Sequence, residues 1–164
     1  MKRLVTLICV LLLLPACALG GSYTASFGGQ PLFTFSCDSS RYRMDSESYL
    51  AGNSAERCWF FMLYDGSSTI ECGLDSYAEL KGLGSGNTAQ LGNFLCSAYG
   101  GTLLETCSIN GQSYVVISRS NSLMAAALMH GYVVYFEIFD MLSGRIGSDA
   151  LTTLKDALSC CTPL

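Results

Sequence analysis

Cys17 is the residue whose surroundings most directly imply a chemical fate. Lys2 and Arg3 precede an unbroken apolar or near-apolar run from Leu4 to Leu14, which stops at Pro15 before the small residues Ala16, Cys17, Ala18 and Gly20. A basic start, an apolar stretch shorter than the ~20 residues that span a bilayer, and small residues at a cleavage point make a secretion signal over residues 1–20. Two cleavages fit. In the first, Leu14-Pro15-Ala16-Cys17 is a bacterial lipobox, with Leu and Ala in their usual places and Pro15 unusual in the middle slot. Cys17 then becomes the new N-terminus and its thiol carries a diacylglycerol. In the second, ordinary cleavage near Gly20 frees a soluble protein. The expectation adopted is lipidation at Cys17 and residence in the bacterial cell envelope, with a secreted soluble protein as the alternative.

Seven further cysteines follow: Cys37, Cys58, Cys72, Cys96, Cys107, Cys160 and Cys161. In an exported chain such a count suggests disulfides, although an odd number cannot all pair internally. No C-x-x-C occurs and His130 is the sole histidine, so zinc is a poor fit. A bridge between Cys160 and Cys161 would close a strained eight-membered ring, so the two are expected to point apart. Several of the seven lie in apolar runs, where a free thiol packs as a small hydrophobe.

A cysteine-dependent hydrolase or redox protein is the alternative function, and it would need His130 within hydrogen-bond reach of a thiolate. A turn at Met129-His130-Gly131 explains that histidine more simply. Gly82-Leu83-Gly84-Ser85-Gly86 has the wrong glycine spacing for a phosphate loop and no following Gly-Lys-Ser/Thr. It reads as a flexible connector. Asp65, Glu71, Asp75 and Glu79 are scattered through turns and a short polar segment, which suits a solvated face better than a paired acid and base. No catalytic, cofactor-binding or metal-ligating residue is therefore assigned, and no cofactor is expected. Aromatic residues are denser: Tyr23, Phe27, Phe33, Phe35, Tyr42, Tyr49, Trp59, Phe60, Phe61 and Tyr64 crowd the first half. Most are core candidates, and a subset at an exposed edge would supply anchors for a partner.

Beyond Cys17 the chain carries seven basic and thirteen acidic side chains, a net charge of −6. That excludes a nucleic-acid surface, which needs clustered Lys and Arg. It also excludes a helix held by anionic lipid, so membrane contact would come through the acyl anchor only. Removing the signal leaves roughly 145 residues, enough for one domain with its own core. Residues 21–30 are read as a short N-terminal segment and 31–164 as that domain.

Turn chemistry and periodicity place the elements. Leu32–Ser36, Arg41–Met44 and Cys58–Tyr64 read as strands, and Asp65-Gly66 turns the last of these into Thr69–Cys72. Leu91, Phe94, Leu95, Ala98 and Tyr99 form one apolar stripe on a helix over Thr88–Tyr99, started by Asn87 or Thr88 and ended by Gly100-Gly101. Asn110-Gly111 predicts a type I′ hairpin, His130-Gly131 a second tight turn, and Leu123–Met129 the strand between them. A second helix over Asp149–Ser159, capped by Ser148, repeats the stripe at Leu151, Leu154, Ala157, Leu158 and Cys161. The fold class expected is α+β: a single antiparallel sheet of five to seven strands with helices packed on both faces.

That order of elements, with the Asn110-Gly111 hairpin, the run His130-Gly131-Tyr132-Val133-Val134-Tyr135-Phe136 and the terminal Leu151-Thr152-Thr153-Leu154-Lys155-Asp156-Ala157-Leu158-Ser159, resembles the PsbP-like α/β/α sandwich. That sandwich is known from extrinsic photosystem subunits and from small bacterial lipoproteins, including DcrB-type ones. The resemblance covers about residues 32–161. It departs from the pattern at Cys37-Asp38-Ser39-Ser40, where relatives often carry a Pro-x-Gly-aromatic turn. What the resemblance implies is binding, scaffolding or assembly rather than catalysis, with an envelope protein as the expected partner.

Overall fold

In a computed structural model, residues 22–46, 54, 56–140 and 146–164 are described, so Cys17, the signal and Tyr49 lie outside the described residues. The chain runs β1 (Ser22–Phe27), β2 (Gln30–Ser36), β3 (Arg43–Asp45), β4 (Arg57–Tyr64), β5 (Thr69–Asp75), a single 3-10 turn (Ala78–Leu80), α1 (Thr88–Tyr99), β6 (Thr102–Ile109), β7 (Gln112–Ser118), β8 (Ser122–Met129), β9 (Tyr132–Phe139), α2 (Ala150–Ser159) and β10 (Cys161–Pro163).

Seven strands form one antiparallel sheet in the order β3-β4-β5-β9-β8-β7-β6. The single-sheet expectation is incomplete, because β1, β2 and β10 form a second sheet in the order β1-β2-β10. Residues 22–27, set aside above as an N-terminal segment, supply its first strand. The hairpin partner of β2 is thus β1, across Gly28-Gly29, while β3 pairs with β4 in the large sheet. At the other end Cys161 lies in β10 opposite Phe35, so it is not the last position of a helical stripe. A second sheet escapes periodicity because β10 is three residues long and finds its partner more than a hundred residues away.

The two faces of the large sheet are covered differently, and strict alternation along its strands sorts the side chains. Tyr114, Val116, Ala125, Ala127, Val134, Phe136 and Ile138 face one way, onto Phe33 and Phe35 of β2, Leu154 and Leu158 of α2, and Cys161. Val115, Ile117, Met124, Ala126, Leu128, Val133 and Tyr135 face the other way, onto Leu91 and Leu95 of α1. Helices therefore lie on both faces, as expected. Both predicted hairpins form on the positive backbone angles that a type I′ turn demands, with φ of 51° and 79° at Asn110-Gly111 and 52° and 83° at His130-Gly131. Among the stripe residues of α2, Leu154 and Leu158 are fully buried, but Leu151 is only half-buried. Ser148 does not cap that helix; Asp149 holds the N-cap position and makes no side-chain cap hydrogen bond.

Candidate functional site

The α1 face of the large sheet changes chemical character halfway across. Over β7 and β8 it is aliphatic and takes the helix; over β9, β5 and β4 it becomes polar and aromatic. The register aligns Asp75 with Arg57 and Gly73 with both Trp59 and Tyr135; it aligns Glu71 with Met62 and Glu137. Among the described residues no helix lies over this strip. Two glutamates directly opposite one another repel. Here each carboxylate has its own donors. Glu71 Oε1 accepts from Trp59 Nε1 at 2.8 Å and from the Tyr135 hydroxyl at 3.1 Å. Glu137 Oε1 accepts from Arg119 Nη1 at 2.6 Å and from the Ser122 hydroxyl. Gly73 makes the first arrangement possible, because a Cβ there would sit 2.5 Å from the Tyr135 hydroxyl oxygen.

Asp75 anchors the end of the strip nearest the 3-10 turn. Its side chain is 5% exposed and accepts from Arg57 Nε at 2.7 Å, from the Tyr77 hydroxyl at 3.2 Å and from the Tyr99 hydroxyl. Tyr99 comes from the last turn of α1, so this network ties the helix to the sheet. The arginines also lie over rings: Arg57 is 5.6 Å from the Trp59 ring centroid, Arg119 is 5.4 Å from that of Tyr99, and Arg43 is 4.8 Å from that of Tyr64. Trp59 and Tyr64 are half-buried here. Such flat, pre-oriented aromatic and guanidinium surfaces are what binding hot spots are made of.

Burial pushes Tyr99 and Tyr135 well above the ordinary phenol range, and their neighbours Asp75 and Glu71 push them further. Burial does the same to Tyr114, and it raises the Cys72 and Cys161 thiols, the latter to about 12. In the unfolded chain these groups titrate near their ordinary values, roughly 8.5 for Cys and 10 for Tyr. The folded state therefore holds more protons than the unfolded state above about pH 9, and stability falls as pH rises from there. Chemical denaturation between pH 8 and 11 should show that decline, and Tyr135→Phe should make it shallower. A flat profile would mean these phenols are solvated.

The structure disperses the other predicted features. Glu71 and Asp75 are not on a solvated face: they project from β5 into the strip, whereas Asp65 holds the Ser67 and Ser68 amides of its turn and Glu79 is exposed. Phe33, Phe35, Phe60 and Phe61 are core: Phe33, Phe35 and Phe61 pack around Phe136, and Phe60 packs edge-on to Phe33. The Gly82–Ser85 segment and the His130-Gly131 turn do meet, with Gln112 and Leu164, around a cleft of about 490 Å³ that no cysteine lines. His130 Nε2 lies 3.1 Å from the Leu164 carbonyl oxygen. The seven cysteines among the described residues are free thiols. Cys161 is buried in the core and Cys160 turns toward the Asp156 carbonyl, so the neighbours do point apart. Sequence reasoning missed Tyr77, Tyr99, Arg57, Arg119, Tyr135 and Glu137. A signal existed in Thr69-Ile70-Glu71-Cys72-Gly73-Leu74-Asp75, whose alternation puts every polar residue or glycine on one side.

No family model and no curated protein matches the chain. Among solved structures it is similar to the solution structure of cyanobacterial PsbP (CyanoP) from Synechocystis sp. PCC 6803. That match has a TM-score of 0.51 at 12% identity and covers 92% of this chain and 95% of that one. The fold is PsbP-like. The PsbP-like fold here is thus reached by a sequence that shares about one residue in eight with that neighbour. Its layers account for the strip: α1 takes only part of its face, and the remainder of the large sheet is left for side chains to cover.

Proposed function

We propose that this chain is an exported, non-enzymatic binding or scaffold domain, held at the bacterial envelope by a lipid on Cys17. It takes a protein partner on the helix-free strip of the large sheet. The observation that carries this reading is the set of arginine–aromatic pairs on that strip, Arg43 with Tyr64 and Arg57 with Trp59, set over carboxylates that are already satisfied. Carboxylates with their donors in place are positioned, rather than free to shuttle protons, and suit recognition. The fold supports the same reading by resemblance to PsbP. The cysteine-enzyme alternative is disfavoured by the thiols themselves, since burial raises Cys37, Cys58, Cys72, Cys107, Cys160 and Cys161 away from the reactive thiolate form.

Two measurements test it together. Cys17→Ser should move the protein from the membrane fraction to the soluble one, and an unchanged distribution removes the anchor. Crosslinking in the native envelope should then join the wild-type chain to a defined partner, and Trp59→Ala with Arg43→Glu should cut that yield at least ~10-fold, the loss expected for hot-spot residues. The variant's melting curve shows whether it is folded. Equal yields from a folded variant would remove the strip as the binding surface.

A further inference from the structure

The two outer strands of the large sheet are finished differently. β3 at one end is three residues long and carries Arg43 and Asp45, the kind of short, charged edge that resists pairing with another chain. β6 at the other end is eight residues long, and its sole charged side chain, Glu105, is already held by Lys155 of α2. Leu103 and Leu104 of this strand are 46% and 49% exposed; among the described residues Leu164 is the one other large apolar side chain left so open.

Alternation along the β6–β7 ladder sorts the backbone groups of β6. Ile109 pairs with Gln112 across a two-residue turn, so the two exchange hydrogen bonds, and alternation gives the same role to Cys107 with Tyr114 and to Glu105 with Val116. Thr106 and Ser108 therefore turn their N–H and C=O groups away from β7. Among the described residues no backbone hydrogen bond from a turn, loop or cap reaches them. The bulge between Leu103 and Glu105 leaves the segment from Glu105 to Ile109 regular.

Such an edge is complementary to itself. With a second copy turned antiparallel about a two-fold axis at Cys107, Thr106 of each copy lies opposite Ser108 of the other, and each such pair exchanges both of its N–H···O bonds. Glu105 then faces Ile109 of the other copy. An axis at Glu105 would set like charges opposite one another, and one at Thr106 would carry the next rungs onto the bulge. Charge points the same way. The chain beyond Cys17 carries a net −6, which keeps copies apart in general, but β6 with its Glu105–Lys155 pair is locally neutral. We propose that β6 is a self-association edge, through which two copies of this chain join their seven-stranded sheets into one. Leu104 falls beside the Asn110-Gly111 turn of the other copy, where it is withdrawn from water. The edge lies apart from the helix-free strip, so this inference does not rest on the partner proposed for that strip.

The full chain is purified with Cys17→Ser, so that no lipid joins copies, and kept reduced. Light scattering over a concentration series through the micromolar range, where so small an interface is expected to form, should show the mass rise to twice that of the chain. Thr106→Pro should hold it at the single mass. Proline there removes an outward N–H and none from the β7 ladder, the one setting in which a strand accepts it. Leu104→Lys, which adds a charge to the edge, should do the same and serves if the proline variant does not fold; melting curves show which variants are folded. A short bis-maleimide should join Cys107 of one copy to Cys107 of the other, since residues directly opposed in a non-hydrogen-bonded pair have Cα atoms only ~4.5 Å apart. A chain that stays at the single mass overturns the proposal, whether the edge is then left open or taken by a strand of another protein. A dimer that persists in a folded edge variant, or one cross-linked only through other cysteines, places the contact elsewhere and overturns it too.

Discussion

Replacing Asp75 by Ala lowers the stability of the folded state by about 3–5 kcal/mol, the range found when one partner of a buried charge network is removed. Asp75 is nearly inaccessible and accepts from Arg57, Tyr77 and Tyr99 together. Without it, two phenol hydroxyls and a guanidinium lose their acceptor at once, in a space too confined for each to recover water. The same carboxylate links the end of α1 to β5, so its loss loosens the helix as well as the strip. For a domain of this size each kcal/mol moves the melting temperature by roughly 2–4 °C, so a drop near 10 °C is expected. Arg57→Ala should cost less, because its side chain is about half exposed and water replaces it. Thermal melts of the two variants decide the matter: equal small losses would show that Asp75 is solvated in the native state.

Leu154→Ala is the second large effect. Its side chain is fully buried between α2 and the large sheet, among Leu158, Ala157 and the β8 and β9 residues beneath. Truncating such a leucine costs about 2–5 kcal/mol through lost transfer energy and the cavity left behind. Lys155, the next residue, lies at the flank of the helix and pairs with Glu105 of β6 at 2.5 Å, both groups about one-third exposed. Exposed ion pairs contribute less than about 1 kcal/mol, so Lys155→Ala should barely move the melt. Should the two variants melt together, α2 is not docked on the sheet through this stripe.

The sequence alone determined the elements that rest on short-range physics. Asn110-Gly111 and His130-Gly131 specify their hairpins because both central residues must take positive φ, which Asn, His and Gly tolerate. The helix over Thr88–Tyr99 is legible because its apolar stripe and its Gly100 terminus fall within twelve residues. The burial of β8 and of the first part of β9 on both faces follows from the apolar runs Leu123–Met129 and Tyr132–Phe136, and from these the layered PsbP-like architecture could be anticipated. The tertiary structure alone decided which distant residues became neighbours. Whether β2 pairs with β1 or with the strand at Arg43 depends on contacts that periodicity does not encode. So does the entry of Cys161 into a strand rather than a helix. The polar strip is the clearest case: Glu71, Asp75, Tyr99 and Tyr135 each look unremarkable in their own segment, and they form one network only because β5 lies beside β9 and α1 ends above them. Cross-strand register and helix docking are set by the whole core at once, and no window of sequence contains them.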